Sequence, residues 1–169
     1  MKAATIKSFM RKPHELFLVV RMILFLLFLP FMLRLARIQD VVAKITPRVE
    51  KAQKTRMNPE RVTYLCERSL ALLQGFGYRV SCLKRCLAMY HFLRVEGVPV
   101  AINFGASWQG DTLKGHSWLT LDGALYLEAQ EKVDQFVYFF SLPPLEAESG
   151  PRGGRKDEKD LDIGRAFFD

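Results

Sequence analysis

Leu16 to Leu35, LFLVVRMILFLLFLPFMLRL, holds 17 apolar residues in 20, interrupted only by Arg21, Pro30 and Arg34. A helix of roughly that length spans a bilayer. In water such a run must either bury itself against the rest of the chain or meet lipid, and the remaining fold has to accommodate whichever occurs. Arg21 stands close enough to the start of the run to snorkel toward headgroups, and Pro30 predicts a kink. The absence of a small-residue cleavage site after the run argues against a cleaved signal peptide. The run therefore predicts membrane contact, spanning or interfacial, with docking on the protein's own core as the alternative.

Charge follows the same division. Residues 1–56 carry 12 Lys or Arg against 3 acids, whereas residues 57–169 carry 13 against 15. The basic excess flanks the apolar run, as it does where anionic headgroups attract a protein. It does not form the broad basic face that nucleic acid requires, so no nucleic-acid partner is expected. If the run spans, the heavier basic flank after it (Arg34, Arg37, Lys44, Arg48, Lys51, Lys54 and Arg56, against Lys2, Lys7, Arg11 and Lys12 before it) keeps the remainder of the chain in the cytoplasm, at the inner face of the membrane. Three cysteines, Cys66, Cys82 and Cys86, form no disulfide framework, which agrees with a reducing cytoplasm.

With 169 residues there is room for one ordinary domain and its flanks. The pattern divides into a basic, hydrophobic helical segment over 1–56, a core over 57–142, and a charged tail over 143–169 where Ile163, Phe167 and Phe168 are the main apolar residues. Residues 36–56 read as a polar helix or linker. Asn58-Pro59-Glu60 starts a helix over about 59–74, with Val62, Leu65, Cys66, Leu70, Leu72 and Leu73 on its buried face. Ser81 caps a second helix over about 82–96, with Leu83, Leu87, Tyr90 and Leu93 inward. Val98 to Ser107 reads as a strand, followed by a loop near 109–114. HSWLTL and ALYLEA then form a hairpin about Asp122-Gly123. Helices followed by strands predict an α+β domain with a small antiparallel sheet.

Two hairpin registers compete. A two-residue turn pairs Leu121 with Ala124; a three-residue loop, with Gly123 left-handed, pairs Thr120 with Ala124 and His116 with Glu128. The second gathers Leu119, Leu125 and Leu127 on one face and His116, Trp118, Tyr126 and Glu128 on the other, and is the expected one.

Cys82 in the first turn of a helix and His116 on a strand 34 residues later are the parts of a cysteine nucleophile. Backbone amides and the helix dipole at that terminus favour a thiolate and an oxyanion. His116 then serves as base and acid, and Glu128 as the carboxylate that fixes its tautomer. Trp118 walls the site from water, and Gln74 is available as a second oxyanion donor. Cys66 and Cys86 read as packed core residues, and His14 and His91 as surface or core residues. A zinc site from Cys82, Cys86 and His116 is the metal alternative; it lacks a fourth ligand.

The stretches SCLKRCLAMYHFLRVEGVPVAINFG and GHSWLTLDGALYLE resemble the transglutaminase-like core of the lasso-peptide maturation B proteins. The likeness rests on Cys82 with the following Leu and basic residue, Gly97-x-Pro99, Gly105, and His116-x-Trp118 with its Asp-Gly turn. The apolar run ending LPFMLRLAR is similar to the leucine-rich helical region ahead of that core. This resemblance implies a papain-like cysteine protease that removes the leader from a ribosomally made precursor peptide, with Cys82 as nucleophile and His116 as base. The family's Asp falls on Glu128, a departure of one methylene. The resemblance further implies a small leader-recognition protein and an asparagine-synthetase-like cyclase as partners. No phosphate loop is present in the sequence, and no cofactor is expected. Acyl transfer or deamidation on the same fold, and a non-catalytic membrane-associated scaffold, are the competing functions.

Overall fold

A computed structural model describes residues 13–47 and 57–143. The outermost basic flank, residues 48–56 and the tail from 144 onward lie outside the described residues, as do the expectations that fell on them. The elements are α1 (Pro13–Leu35), α2 (Ile38–Ile45), α3 (Pro59–Gly75), α4 (Cys82–Val95), β1 (Val100–Gln109), β2 (Thr112–Leu121), β3 (Ala124–Tyr126), α5 (Gln130–Val133) and β4 (Val137–Leu142). The strands form one antiparallel sheet in the order β3-β2-β1-β4. An α+β architecture with an apolar N-terminal helix is what the sequence predicts.

α1 runs unbroken through Pro30 and belongs to the core. Met22, Leu26 and Leu29 are wholly buried, and Glu15 accepts a two-pronged hydrogen bond from Arg61 of α3 at 2.8 and 3.1 Å. Tyr78 donates its hydroxyl to the Leu26 carbonyl at 2.6 Å. Phe17, Leu24, Leu27, Phe28, Phe31 and Leu35, on the opposite side, are exposed. Docking on the core thus accounts for one face of the helix and leaves the other exposed.

α3 begins as expected, with the Asn58 side chain accepting from the Glu60 N–H at 2.9 Å and Pro59 in the first turn. Of its predicted inward residues, Leu72 is exposed. α4 is buried almost all round, because α1 and α3 cover one side and the sheet the other. Ala88, Met89 and Phe92 are buried along with the predicted Leu83, Leu87, Tyr90 and Leu93. A helix enclosed on both sides loses its single-stripe pattern, which is why spacing alone identified half of its core face.

Two expectations for the strands need correction. The region 109–114 is no loop: β1 and β2 continue to a tight turn at Gly110-Asp111, with Gln109 paired to Thr112. The second hairpin has the two-residue turn, with Leu121 paired to Ala124 and Leu119 to Tyr126. Asp122 and Gly123 both have positive φ, 50° and 79°, the geometry whose twist matches that of paired strands and which Asp-Gly accommodates. The three-residue alternative counts Leu127 as a strand residue. Leu127 has instead left the ladder with φ 66° and is exposed. Tyr126 shares the face of Leu119, not that of His116.

β4 pairs with β1 through a bulge: Phe104 opposes Phe140 while Gly105 opposes Tyr138, leaving Phe139 extra. A Cβ at Gly105 would meet the Val137 carbonyl oxygen at 2.6 Å and the Trp118 ring at 2.9 Å. The glycine thus lets the β4 backbone and the Trp118 ring approach β1 closely at the position paired with His116.

Candidate active site

The N-terminus of α4 points at the one stretch of β2 that β3 leaves uncovered. Pairing between β2 and β3 ends at Leu119 and Tyr126. One step further along the ladder, Ser117 would exchange hydrogen bonds with residue 128. The turn at Leu127 prevents that, and both backbone groups of Ser117 are left facing α4. Its N–H acts on the Cys82 sulfur, lowering that thiol's pKa, and its carbonyl accepts from Cys86 Sγ at 3.1 Å. A short strand and a left-handed leucine therefore open the edge on which the candidate nucleophile sits.

Cys82 is half-buried and lies close enough to His116 for each group to shift the titration of the other. Burial alone would raise its pKa. The influence of His116 and of the Ser117 N–H outweighs that effect, so the thiol is held below its ordinary value. His116 moves the other way. Its contact with Cys82, then the charge of Glu128, raise the imidazole above its usual range against the lowering effect of burial. Both shifts favour a thiolate beside an imidazolium.

His116 Nε2 donates to Glu128 Oε2 at 3.2 Å, which leaves Nδ1 as the nitrogen available to the thiol. The predicted contact between His116 and Glu128 is present although the predicted ladder is not. The pleat alone would place Glu128 on the face of Ser117, and the turn at Leu127 swings it onto the imidazole. Trp118, almost wholly buried, stacks near His116 with ring centroids 6.0 Å apart.

Several neighbours were not identified from sequence. Phe136, between α5 and β4, stacks on His116 at 4.8 Å; a lone aromatic outside any periodic pattern carries no signal of that role. Arg85, three residues after Cys82, lies 3.9 Å from Glu128. A basic residue one turn into the helix, beside the candidate nucleophile, was the available hint. The Ser117 hydroxyl is buried without a well-formed hydrogen bond, yet it acts to lower both thiols, in Cys86 against the larger raising effect of burial.

Other candidates lie elsewhere. Gln74 is exposed in the last turn of α3. Cys66 and Cys86 are buried, and burial pushes each thiol up to about 12. His91 hydrogen-bonds through Nδ1 to the Ile45 carbonyl at 2.7 Å and stacks on Phe25, while His14 is exposed. Among the described residues no group of three or more His, Cys, Asp or Glu is arranged to hold a metal ion.

No curated protein and no solved structure matches the chain. A family model does, over residues 25–141, from the middle of α1 to the last strand. That span takes in Cys82, His116 and Glu128 together with the helices and sheet that hold them. The chain belongs to the transglutaminase-like superfamily.

Proposed function

We propose that this chain is a cysteine peptidase that cuts the leader from a lasso-type precursor peptide, with Cys82 as nucleophile, His116 as acid and base, and Glu128 as its orienting carboxylate. The superfamily includes cysteine proteases and acyl transferases. The observation that carries the reading is His116 held by Glu128 on one side and coupled to Cys82 on the other, with the thiol held below and the imidazole above its ordinary value.

In this mechanism the Cys82 thiolate attacks the scissile carbonyl. The first N–H groups of α4, which have no intrahelical partners, face the oxyanion of the tetrahedral intermediate. The His116 imidazolium gives its proton to the departing amine as the C–N bond breaks, and the acyl group remains as a thioester on Cys82. Water then attacks the thioester with His116 taking its proton, and collapse of the second intermediate releases the new carboxyl group and restores the Cys82 thiolate beside the imidazolium. Glu128 keeps the ring in the required orientation throughout, and Phe136 and Trp118 limit solvent around it.

A small leader-recognition protein supplies the precursor in this scheme, and an asparagine-synthetase-like cyclase receives the trimmed peptide. The exposed apolar face of α1, with Arg21, Arg34, Arg37 and Lys44 exposed on α1, α2 and the link between them, suits the surface of an anionic membrane. α1 then lies in the interface, since spanning would strip Met22, Leu26 and Leu29 from the core. Flotation with anionic but not neutral vesicles, weakened in Phe28→Ser/Phe31→Ser, is the expected result; absence of flotation on both removes this placement.

The functional test is intact-mass analysis of a lasso precursor peptide incubated with the chain and a leader-recognition protein. Two fragments that sum to the precursor plus one water mean hydrolysis. An unbroken backbone with an altered side chain means transfer or deamidation, and an unchanged peptide with retained binding favours a scaffold.

A further inference from the structure

Glu128 meets His116 from outside the ladder, after a left-handed residue, on a side chain with one more torsion than an aspartate has. Something must hold it there, because an unrestrained glutamate recovers rotamer freedom by leaving. α4 supplies a group at the right place. Nε and Nη2 of Arg85 both donate to Oε1 of Glu67 on α3, at 2.8 and 2.6 Å. The remaining Nη1 stands 3.9 Å from Glu128 Oε1. The other Glu128 oxygen, Oε2, accepts from His116. The carboxylate is thus divided between a cation and the imidazole, and the cation is itself fixed by a second acid.

We propose that Arg85 is a positioning residue: anchored by Glu67, it holds the Glu128 carboxylate on His116 and so allows a long acidic side chain to serve as the third member of the Cys82–His116–Glu128 arrangement, an inference that rests on that arrangement. The planar fork of arginine suits this role, since one edge engages Glu67 while the far nitrogen stays aimed at Glu128. The other groups that act on Glu128 are His116 from β2 and Cys86 from α4. Cys86 remains neutral, because burial pushes its thiol up to about 12. His116 also faces Cys82, so the clearest reading of its titration comes where that thiol is absent.

The experiment is an NMR titration of the His116 ring in the full-length chain carrying Cys82→Ala. The three histidines of the sequence make assignment direct. Glu128→Gln sets the reference, a fall in the His116 pKa. If Arg85 holds Glu128 in place, Arg85→Gln also lowers it, produces no further fall on top of Glu128→Gln, and is partly reversed in Arg85→Lys. Arg85→Met, which keeps the packed stem, substitutes should the Gln variant not fold. A rise overturns the proposal, since it marks Arg85 as a bystander cation whose repulsion has been relieved. An unchanged pKa with a lowered melting temperature overturns it too, leaving a structural ion pair with Glu67. Peptide turnover is not needed for any of these readings, so failure of the peptidase proposal and failure of this one are separable.

Discussion

Cys82 in the first turn of α4 is half-buried and its thiol is held below the ordinary value, whereas Cys86, one turn on, is enclosed and its thiol is pushed up to about 12. Burial acts on both in the same direction. What separates them is its extent and the groups each meets. At Cys82 the imidazole and the Ser117 N–H outweigh a partial burial; at Cys86 burial is complete, and the charges of Cys82 and Glu128 add to it in favouring the neutral thiol. The same residue, Ser117, supplies the N–H to one and the C=O to the other. Reactivity at this helix terminus is therefore set by how fully each sulfur is enclosed and by the groups it meets, and not by placement on the helix alone.

The sharpest way to break the comparison is Cys82→Ala. Loss of all peptide turnover and of fast iodoacetamide labelling is expected, with an unchanged circular dichroism spectrum. Fast labelling that persisted at Cys86 would mean the two turns had been assigned in the wrong order.

His116→Ala removes the partner and should make Cys82 behave more like Cys86. The labelling rate at neutral pH is expected to fall about tenfold for each unit by which the thiol pKa recovers, and turnover by about 10²–10⁴. A labelling rate that did not respond would show that Ser117 and the helix terminus suffice.

Glu128→Gln acts one step further out. Removing the carboxylate destabilises the imidazolium, so the His116 pKa falls and the thiolate forms at higher pH. The alkaline limb of a pH–rate profile should move toward acid and the acid limb toward alkali, narrowing the active range from both sides. Turnover should drop less than in His116→Ala. A profile of unchanged width would remove Glu128 from the site.

Cys86→Ala is expected to have the smallest effect on chemistry. The Cys82 labelling rate should stay within about twofold, while chemical denaturation shows a loss of about 1 kcal/mol from a vacated core position. A large fall in Cys82 labelling would mean that the Cys86 bond to the Ser117 carbonyl is what aims the Ser117 N–H.

Much of the site could be read along the chain because its parts are local signals. Ser81 before Cys82 marks a helix start, and HSWLTL-Asp-Gly-ALYLE marks a hairpin with His116 on it. The contact of His116 with Glu128 was expected through a register that the structure does not have. The register depended on where β3 stops, and no local pattern marks Leu127 as the residue that leaves the ladder, since leucine seldom adopts positive φ. Arg85, Ser117 and Phe136 were missed for a related reason: each acts through a neighbour distant in sequence.

The amino-acid sequence by itself determined the elements of this protein, an apolar helix, two capped helices and an antiparallel hairpin, because capping, turn chemistry and hydrophobic run length act over a few residues. It also determined which thiol begins a helix. Tertiary structure alone decided which face of α1 is buried, since a run apolar all round carries no preferred side until α3 and α4 choose one. It decided, too, that β3 ends early enough to expose Ser117 to α4, and that Glu67, Arg85 and Glu128 meet. Those outcomes depend on packing between segments far apart in the chain, where the energy of a contact exists only once the fold has brought both partners to it.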